Sequence, residues 1–319
     1  GGTGYYGGAN EERRIDRRTY YRWPETMSMV KELQPSNLIF SDAGPDIRWI
    51  GNERGFAGET NWSTITTRDI VIGEADTEYL NSGDPAGEDW VVPLCDTSIR
   101  PGWFYHPDQD DRVQSPQELV DLYYRSVGRN CVLLLNIPPD RRGRFHEKDV
   151  ETLRETRSIL DETFATDLAA GAEVRATSWR SGHSKFAPRN VADGLADTYW
   201  AAEDGSAEDG LAEGGLADMQ ASLELFLAGV QEFDRILLQE PIRLGQRVAS
   251  FSVEARVDGQ WRGIAEATTI GYKRLLRIPL VRADALRITI RKARAAPALS
   301  NVGLYRASPR EPPAPGGPR

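Results

Sequence analysis

The sequence predicts a multidomain chain, parallel α/β in its first half and all-β in its second. Two patterns carry this. Up to about residue 165, helix-patterned segments alternate with short apolar runs, the rhythm of parallel strands joined by helices. From residue 172 the chain breaks into short runs that mostly alternate apolar with polar, divided by Gly, Asp and Pro, as in a β-sandwich. A chain of 319 residues has room for both units.

The elements follow in order. Pro24 to Gln34 reads as a helix, with Pro in the first turn and Met27, Val30 and Leu33 on one face. Asn37 to Asp42 is a short apolar run ending in polar residues, predicted as a buried strand. A long stretch containing Gly and Trp leads to the apolar run Trp90 to Cys95. Ser115-Pro-Gln-Glu-Leu119 opens a helix as a capping box, in which the Ser side chain and the Glu three places on satisfy free amides reciprocally. Cys131 to Asn136 is the clearest buried strand, and a helix from Glu147 to about Thr163 turns Val150, Leu153, Ile159 and Leu160 inward. Later strands are predicted at 172–179, 223–227, 233–238, 250–257, 274–278 and 285–290. The acidic, Gly-rich segment Asp204 to Gly215 reads as a flexible loop, and the Pro- and Gly-rich tail 308–319 as disordered.

Composition excludes several classes of function. A net charge of -9 argues against nucleic acid as the partner, since phosphate binding needs a concentrated basic face. No apolar run approaches the ~20 residues that span a bilayer. Two cysteines, Cys95 and Cys131, indicate neither a disulfide framework nor a Cys-based zinc site, and His106, His146 and His183 lie too far apart for a His-rich one. The sequence opens at Gly1 in the Gly-rich run Gly1 to Gly8, without the pattern of a signal peptide, and reads as a truncated start.

Chemistry in parallel α/β folds sits on the loops beyond the C-terminal ends of the strands. Ser41-Asp-Ala-Gly-Pro-Asp-Ile-Arg-Trp-Ile-Gly-Asn-Glu53 places Asp42, Asp46 and Glu53 just after a predicted strand. Glycoside hydrolysis needs one carboxyl to protonate the leaving oxygen and a second for the attack, and apolar walls such as Trp49 or Phe56 favour the protonated acid. Ser98-Ile-Arg-Pro-Gly-Trp-Phe-Tyr-His106 follows the next apolar run. Its Arg100, Trp103, Tyr105 and His106 suit a sugar, with rings for the C–H face and polar groups for the hydroxyls, or equally a loop-packing aromatic cluster. The prolines of Asn136-Ile-Pro-Pro-Asp140 fix a rigid turn.

These three motifs, with Arg48-Trp49 and Gly51-Asn-Glu53, resemble glycoside hydrolase family 29, and most of all its α-1,3/1,4-selective L-fucosidases, over roughly Gly1 to Phe164. The resemblance implies that residues 1–165 form the C-terminal part of a (β/α)8-like TIM barrel of a retaining hydrolase, with no cofactor for catalysis. It maps the acid/base to Glu53 and a fucose pocket to Trp49, Arg100, Trp103, Tyr105 and His106. The family's nucleophile is an Asp in a motif just upstream of a Gly-rich stretch like Gly1 to Gly8, so this chain is expected to lack it, to be inactive alone, and to need the missing N-terminal half of the barrel as partner. Leu94 departs from the acidic residue usual at that position. The implied substrate is a fucosylated oligosaccharide or glycoconjugate, and the implied location periplasmic or secreted.

Residues 172–307 resemble the discoidin, or factor 5/8 C-type, fold of carbohydrate-binding module family 32, through Asn190-Val-Ala-Asp-Gly194 and Asp197-Thr-Tyr-Trp200. That resemblance implies a structural Ca²⁺ near Asp193 and Thr198, with Trp200 in the core. The family's acidic residue near the last strand is absent around Val302. A different-class alternative is a non-catalytic glycan-binding protein that uses the sandwich. The isolated chain is expected to aggregate or to pair with its missing half, and residues 172–307 to fold alone.

Overall fold

The structure is a computed structural model and describes residues 15–203 and 215–311. The Gly-rich opening, nearly all of the acidic segment from Asp204 and the last eight residues lie outside the described residues.

Helix α1 (Trp23–Leu33) carries Pro24 in its first turn and leads into two short strands, β1 (Phe40–Ser41) and β2 (Ile47–Trp49). An antiparallel pair, β3 (Thr64–Ile65) and β4 (Asp89–Trp90), brackets α2 (Thr77–Ser82). Then come β5 (Val92–Ser98), α3 (Pro116–Arg125), β6 (Val132–Asn136) and α4 (Glu147–Thr163). Strands β1, β2, β5 and β6 form a parallel sheet in that order. The capping box at α3 is present with both of its hydrogen bonds.

Two expectations about this half are corrected. The strands read as buried are not: Leu38, Phe40, Val132 and Leu134 are all exposed, because β1 and β6 are the two edges of the sheet among the described residues. Cys95 and Cys131 are joined in a disulfide, beside Ile50 and Ala57 in a small apolar cluster. Two cysteines 36 residues apart say nothing of pairing until their strands are known to be neighbours.

The second half is antiparallel. β7 (Glu173–Ala176) and the short β8 (Trp200–Ala201) precede two very long strands, β9 (Ala217–Gln239) and β12 (Arg274–Ala293). Between these lie β10 (Val248–Val257) and β11 (Gln260–Ala267), and β13 (Ala298–Leu299) and β14 (Asn301–Tyr305) finish the chain. The large sheet runs β11-β10-β12-β9-β14, with β7 also on β9, and β13 pairs β8. The sequence pattern predicts each long strand as two short ones, and this is corrected. Their register slips between Arg277 and Val281, where exposed residues interrupt the apolar alternation without ending the ladder. The sheet closes on one core that includes Trp200, Leu225, Phe233, Ile236, Phe251 and Leu286.

The halves share a continuous seam. Val120, Tyr124 and Ile159 of α3 and α4 pack with Leu237, Leu275 and Tyr305. A buried polar knot lies alongside: Gln246 accepts from Ser63 N at 2.9 Å and donates to Asn61 O at 2.9 Å, while Asn61 N donates to Thr269 Oγ1 at 2.9 Å. The start of the tail is ordered, contrary to expectation. Ser308 is buried, and the carboxylate of Glu311 accepts from Arg235 at 2.8 Å and from Thr163. Composition flagged the tail as Pro- and Gly-rich but could not show that a buried guanidinium required its carboxylate.

Candidate active site

β2 and β5 are parallel neighbours, so their C-terminal ends deliver two loops to the same edge of the sheet. Glu53 stands four residues beyond β2. Gly51 makes the turn possible: its φ is 83°, and a Cβ there would lie 2.5 Å from Thr77 O. Asn52 closes the turn, accepting from Arg54 N and donating to Phe56 O, both at 3.1 Å. Glu53 is left exposed at the tip.

The loop after β5 reaches across. Trp103 donates its indole N–H to Glu53 Oε2 at 3.2 Å and keeps its ring 37% exposed. Asn136, at the end of β6, holds this loop by donating to Trp103 O at 3.1 Å and Ser98 Oγ at 3.0 Å. Trp49 repeats the arrangement, donating its indole N–H to Asp96 Oδ1 at 2.8 Å. Burial pushes the Asp96 carboxyl above the usual carboxylate range and the charge of Glu53 adds to this, while the Trp49 hydrogen bond opposes it. Two carboxyls, each bonded to an indole, therefore sit near enough to sense one another. The sequence reading does not include Asp96 among the site residues, although an acid directly after the apolar run Trp90 to Cys95 is a readable signal.

Trp49, Glu53 and Trp103 are thus brought together, and the remaining residues read from the sequence are placed otherwise. Arg100 is buried, bonded through Nε to both oxygens of Asp149 and through its terminal nitrogen to Asp110 at 2.8 Å. Tyr105 stacks over that guanidinium at 4.9 Å and leans on His146. This is the loop-packing cluster, and it stiffens the base of the Trp103 loop. His106 is exposed at the start of the next turn. Asp42 accepts from Gly73 N, and Asp46 from Ile39 N and Lys31, whose hydrogen bond holds the Asp46 carboxyl below its ordinary range. Both are engaged in fixing backbone. Arg48, also from the first motif, is fully buried and donates to the carbonyls of Leu80, Trp62 and Val91 and to Asn61 Oδ1.

In the second half, Asp193 Oδ1 accepts from Leu195 N and from Thr198 Oγ1, both at 2.9 Å, and Thr198 Oγ1 lies 3.0 Å from Leu195 O. Among the described residues no group of three His, Cys, Asp or Glu side chains could hold a metal, and no helix is long and apolar enough to cross a membrane. Trp200 is wholly buried, as expected.

Comparison with known proteins gives a consistent result. Residues 4–162 match the family model described as alpha-L-fucosidase. The chain is 42% identical over 289 residues to a putative alpha-L-fucosidase 1 of Oryza sativa subsp. japonica, covering 89% of this chain and 53% of that protein. It is 40% identical over 289 residues to alpha-L-fucosidase 1 of Arabidopsis thaliana, covering 89% and 54%. The chain therefore spans about half the length of the curated relatives it matches. Among solved structures, a putative alpha-L-fucosidase from Bacteroides thetaiotaomicron superposes with a TM-score of 0.81 at 38% identity, over 90% of this chain and 61% of that one. A family 29 fucosidase from Ruminococcus gnavus in complex with fucose gives 0.78 at 28% identity, over 95% and 59%. With its motifs in the first half and these likenesses running through both, the chain belongs to the α-L-fucosidase family of glycoside hydrolases.

Proposed function

We propose that the complete protein is an exo-acting, retaining α-L-fucosidase that releases L-fucose from α-1,3/1,4-fucosylated glycans, with Glu53 as its acid/base. The observation that carries this reading is the exposed Glu53 carboxyl beyond a parallel strand, bonded to the half-exposed Trp103 indole. Glu53 gives its proton to the glycosidic oxygen as the bond to the anomeric carbon breaks. A second carboxylate forms an ester with that carbon, and we assign it to an Asp outside this sequence. Glu53, now ionised, takes a proton from water, the water oxygen displaces the ester, and fucose leaves with both carboxyls restored. Trp103 and Trp49 supply aromatic faces beside the sugar. Arg100 and Tyr105 act beneath the pocket by bracing the loop, not by touching the sugar.

Glu53→Ala in the full-length protein is the test. Turnover of natural linkages is expected to disappear, and azide to restore part of the hydrolysis of an aryl fucoside. Unchanged activity removes the assignment.

The antiparallel half is proposed to be a discoidin-like sandwich. Near Asp193 and Thr198 a calcium ion would find oxygens of the right hardness but a single carboxylate, one oxygen of which already accepts two hydrogen bonds. The reading the loop supports is a self-satisfied turn.

A further inference from the structure

The loop from Gly51 to Asn61 carries Glu53 near one end and is fastened to the other half of the protein at its far end. Phe56, three residues past Glu53, lies between the guanidinium groups of Arg54 and Arg125, 4.7 and 3.9 Å from its ring centre. Ala57 N donates to Arg125 O at 3.0 Å, and Arg129 donates to Ala57 O at 2.9 Å. Beyond them Glu59 is gripped from both sides. Arg129 pairs with one carboxylate oxygen, and Arg274 bonds the other at 2.8 Å and the Glu59 carbonyl at 2.6 Å. Thr268 Oγ1 donates to that same carbonyl at 2.8 Å.

Arg274 is the first residue of β12, so this grip comes from the antiparallel half. It is 3% exposed, and a backbone bridge pairs it with Arg129. Two neighbouring cations with burial weighing on both need a shared anion, and burial lowers the proton affinity of each while Glu59 raises it. The Glu59 carboxylate is what lets both guanidiniums occupy the seam, and in return they fix the far end of the loop. Gln246 and Thr269 of the same half also bond the backbone of Asn61 at the loop's very end, whereas other seam contacts fall outside the loop, as Arg277 does on Asp121 of α3.

We propose that Arg274 is a positioning residue for Glu53: the antiparallel half sets the acid/base loop through Arg274, Glu59 and Arg129. This rests on the assignment of Glu53 above. A fixed loop keeps the Glu53 carboxyl on the Trp103 indole, and displacement of such a group by about 1 Å can cost up to about 100-fold in rate.

The test compares Arg274→Met and Glu59→Gln with Arg277→Met, which loosens the same seam away from the loop. In the full-length protein, kcat on an aryl fucoside is expected to fall about tenfold or more in the first two, with KM nearly unchanged, and to stay near wild type in the third. Arg274→Lys should recover part of the loss, and Glu59→Gln with Arg274→Met should be no worse than either alone. In the present chain, the Trp103 indole N–H resonance is expected to shift in Arg274→Met and not in Arg277→Met. Equal kcat in the Arg274 and Arg277 variants, or an unmoved indole resonance, overturns the proposal. If the wild type hydrolyses no fucoside the functional reading fails separately, and the indole resonance decides the positioning claim alone.

Discussion

Trp103 gives its indole N–H to Glu53 at 3.2 Å, so a residue five places beyond β5 holds the carboxyl four places beyond β2. The Trp49–Asp96 pair, at 2.8 Å, is built the same way from the strands themselves. An indole is a donor that cannot accept, so it orients a carboxyl without competing for its proton.

Replacing Trp103 with Phe keeps a ring for the sugar and deletes that donor. In the full-length protein kcat/KM on an aryl fucoside should fall about tenfold, the order expected for one hydrogen bond to a carboxylate. The fall should lie in kcat if the indole acts by orienting Glu53, and in KM if it acts by contacting sugar. Steady-state kinetics on the purified variant separates the two.

Glu240 links pH to stability. It is buried and accepts backbone N–H bonds from Arg247, Val248 and Gly271, and burial pushes its carboxyl up to about 7 despite them. A carboxyl raised above its unfolded value of 4.5 contributes stability that is complete below pH 4.5 and is lost as pH rises through about 7. Glu240→Gln has no such titration. The stability advantage of wild type over that variant should shrink by about 3 kcal/mol between pH 4 and 8, as read from urea unfolding at each pH. A constant gap would contradict this.

The legibility of the fold followed the range of the interactions. Helices α1, α3 and α4 are readable because a proline in the first turn, a capping box and a 3.6-residue period are local signals, and the Ser115 capping box is intact. The breaks assigned within β9 and β12 were wrong because exposed residues near Val230 and Leu280 look like turns when the partner strand is unknown. Glu53 was singled out by its motif, yet its bond to Trp103 spans 50 residues and no spacing reveals it. The sequence points Arg100 toward a sugar because its partner Asp149 lies 49 residues on, in α4. Residue type shows what a side chain can bind; only the fold shows what has already bound it.

Gln246 tests whether the halves are separable. Leucine in its place leaves Ser63 N, Asn61 O and Asn130 Nδ2 without that shared partner in a buried seam. The cost should be about 1–3 kcal/mol, that of one buried orphan, since Ser63 N loses its acceptor while Asn61 O and Asn130 Nδ2 keep each other. Residues 172–307 expressed alone should melt below the whole chain, because the cut bares Leu237, Leu275 and Tyr305 and removes Glu59 and Glu311 from Arg274 and Arg235. Calorimetry of the three proteins measures both effects; equal melting temperatures would show a sandwich indifferent to the seam.

The turn at Asp193 decides the calcium question. Calcium takes six to eight oxygens, commonly with several carboxylates among them. Here Asp193 is already engaged by Leu195 N and Thr198 Oγ1, and the nearby Asp197 carboxylate pairs with Arg243 at 2.9 Å. Melting of the whole chain should therefore be the same in millimolar calcium and in chelator. Asp193→Ala should lower stability by about 1 kcal/mol in both solutions, through loss of its local hydrogen bonds alone. A calcium-dependent rise in melting temperature that this substitution abolishes would instead establish a metal site, because only a ligand bound to the folded state shifts the unfolding equilibrium with its own concentration.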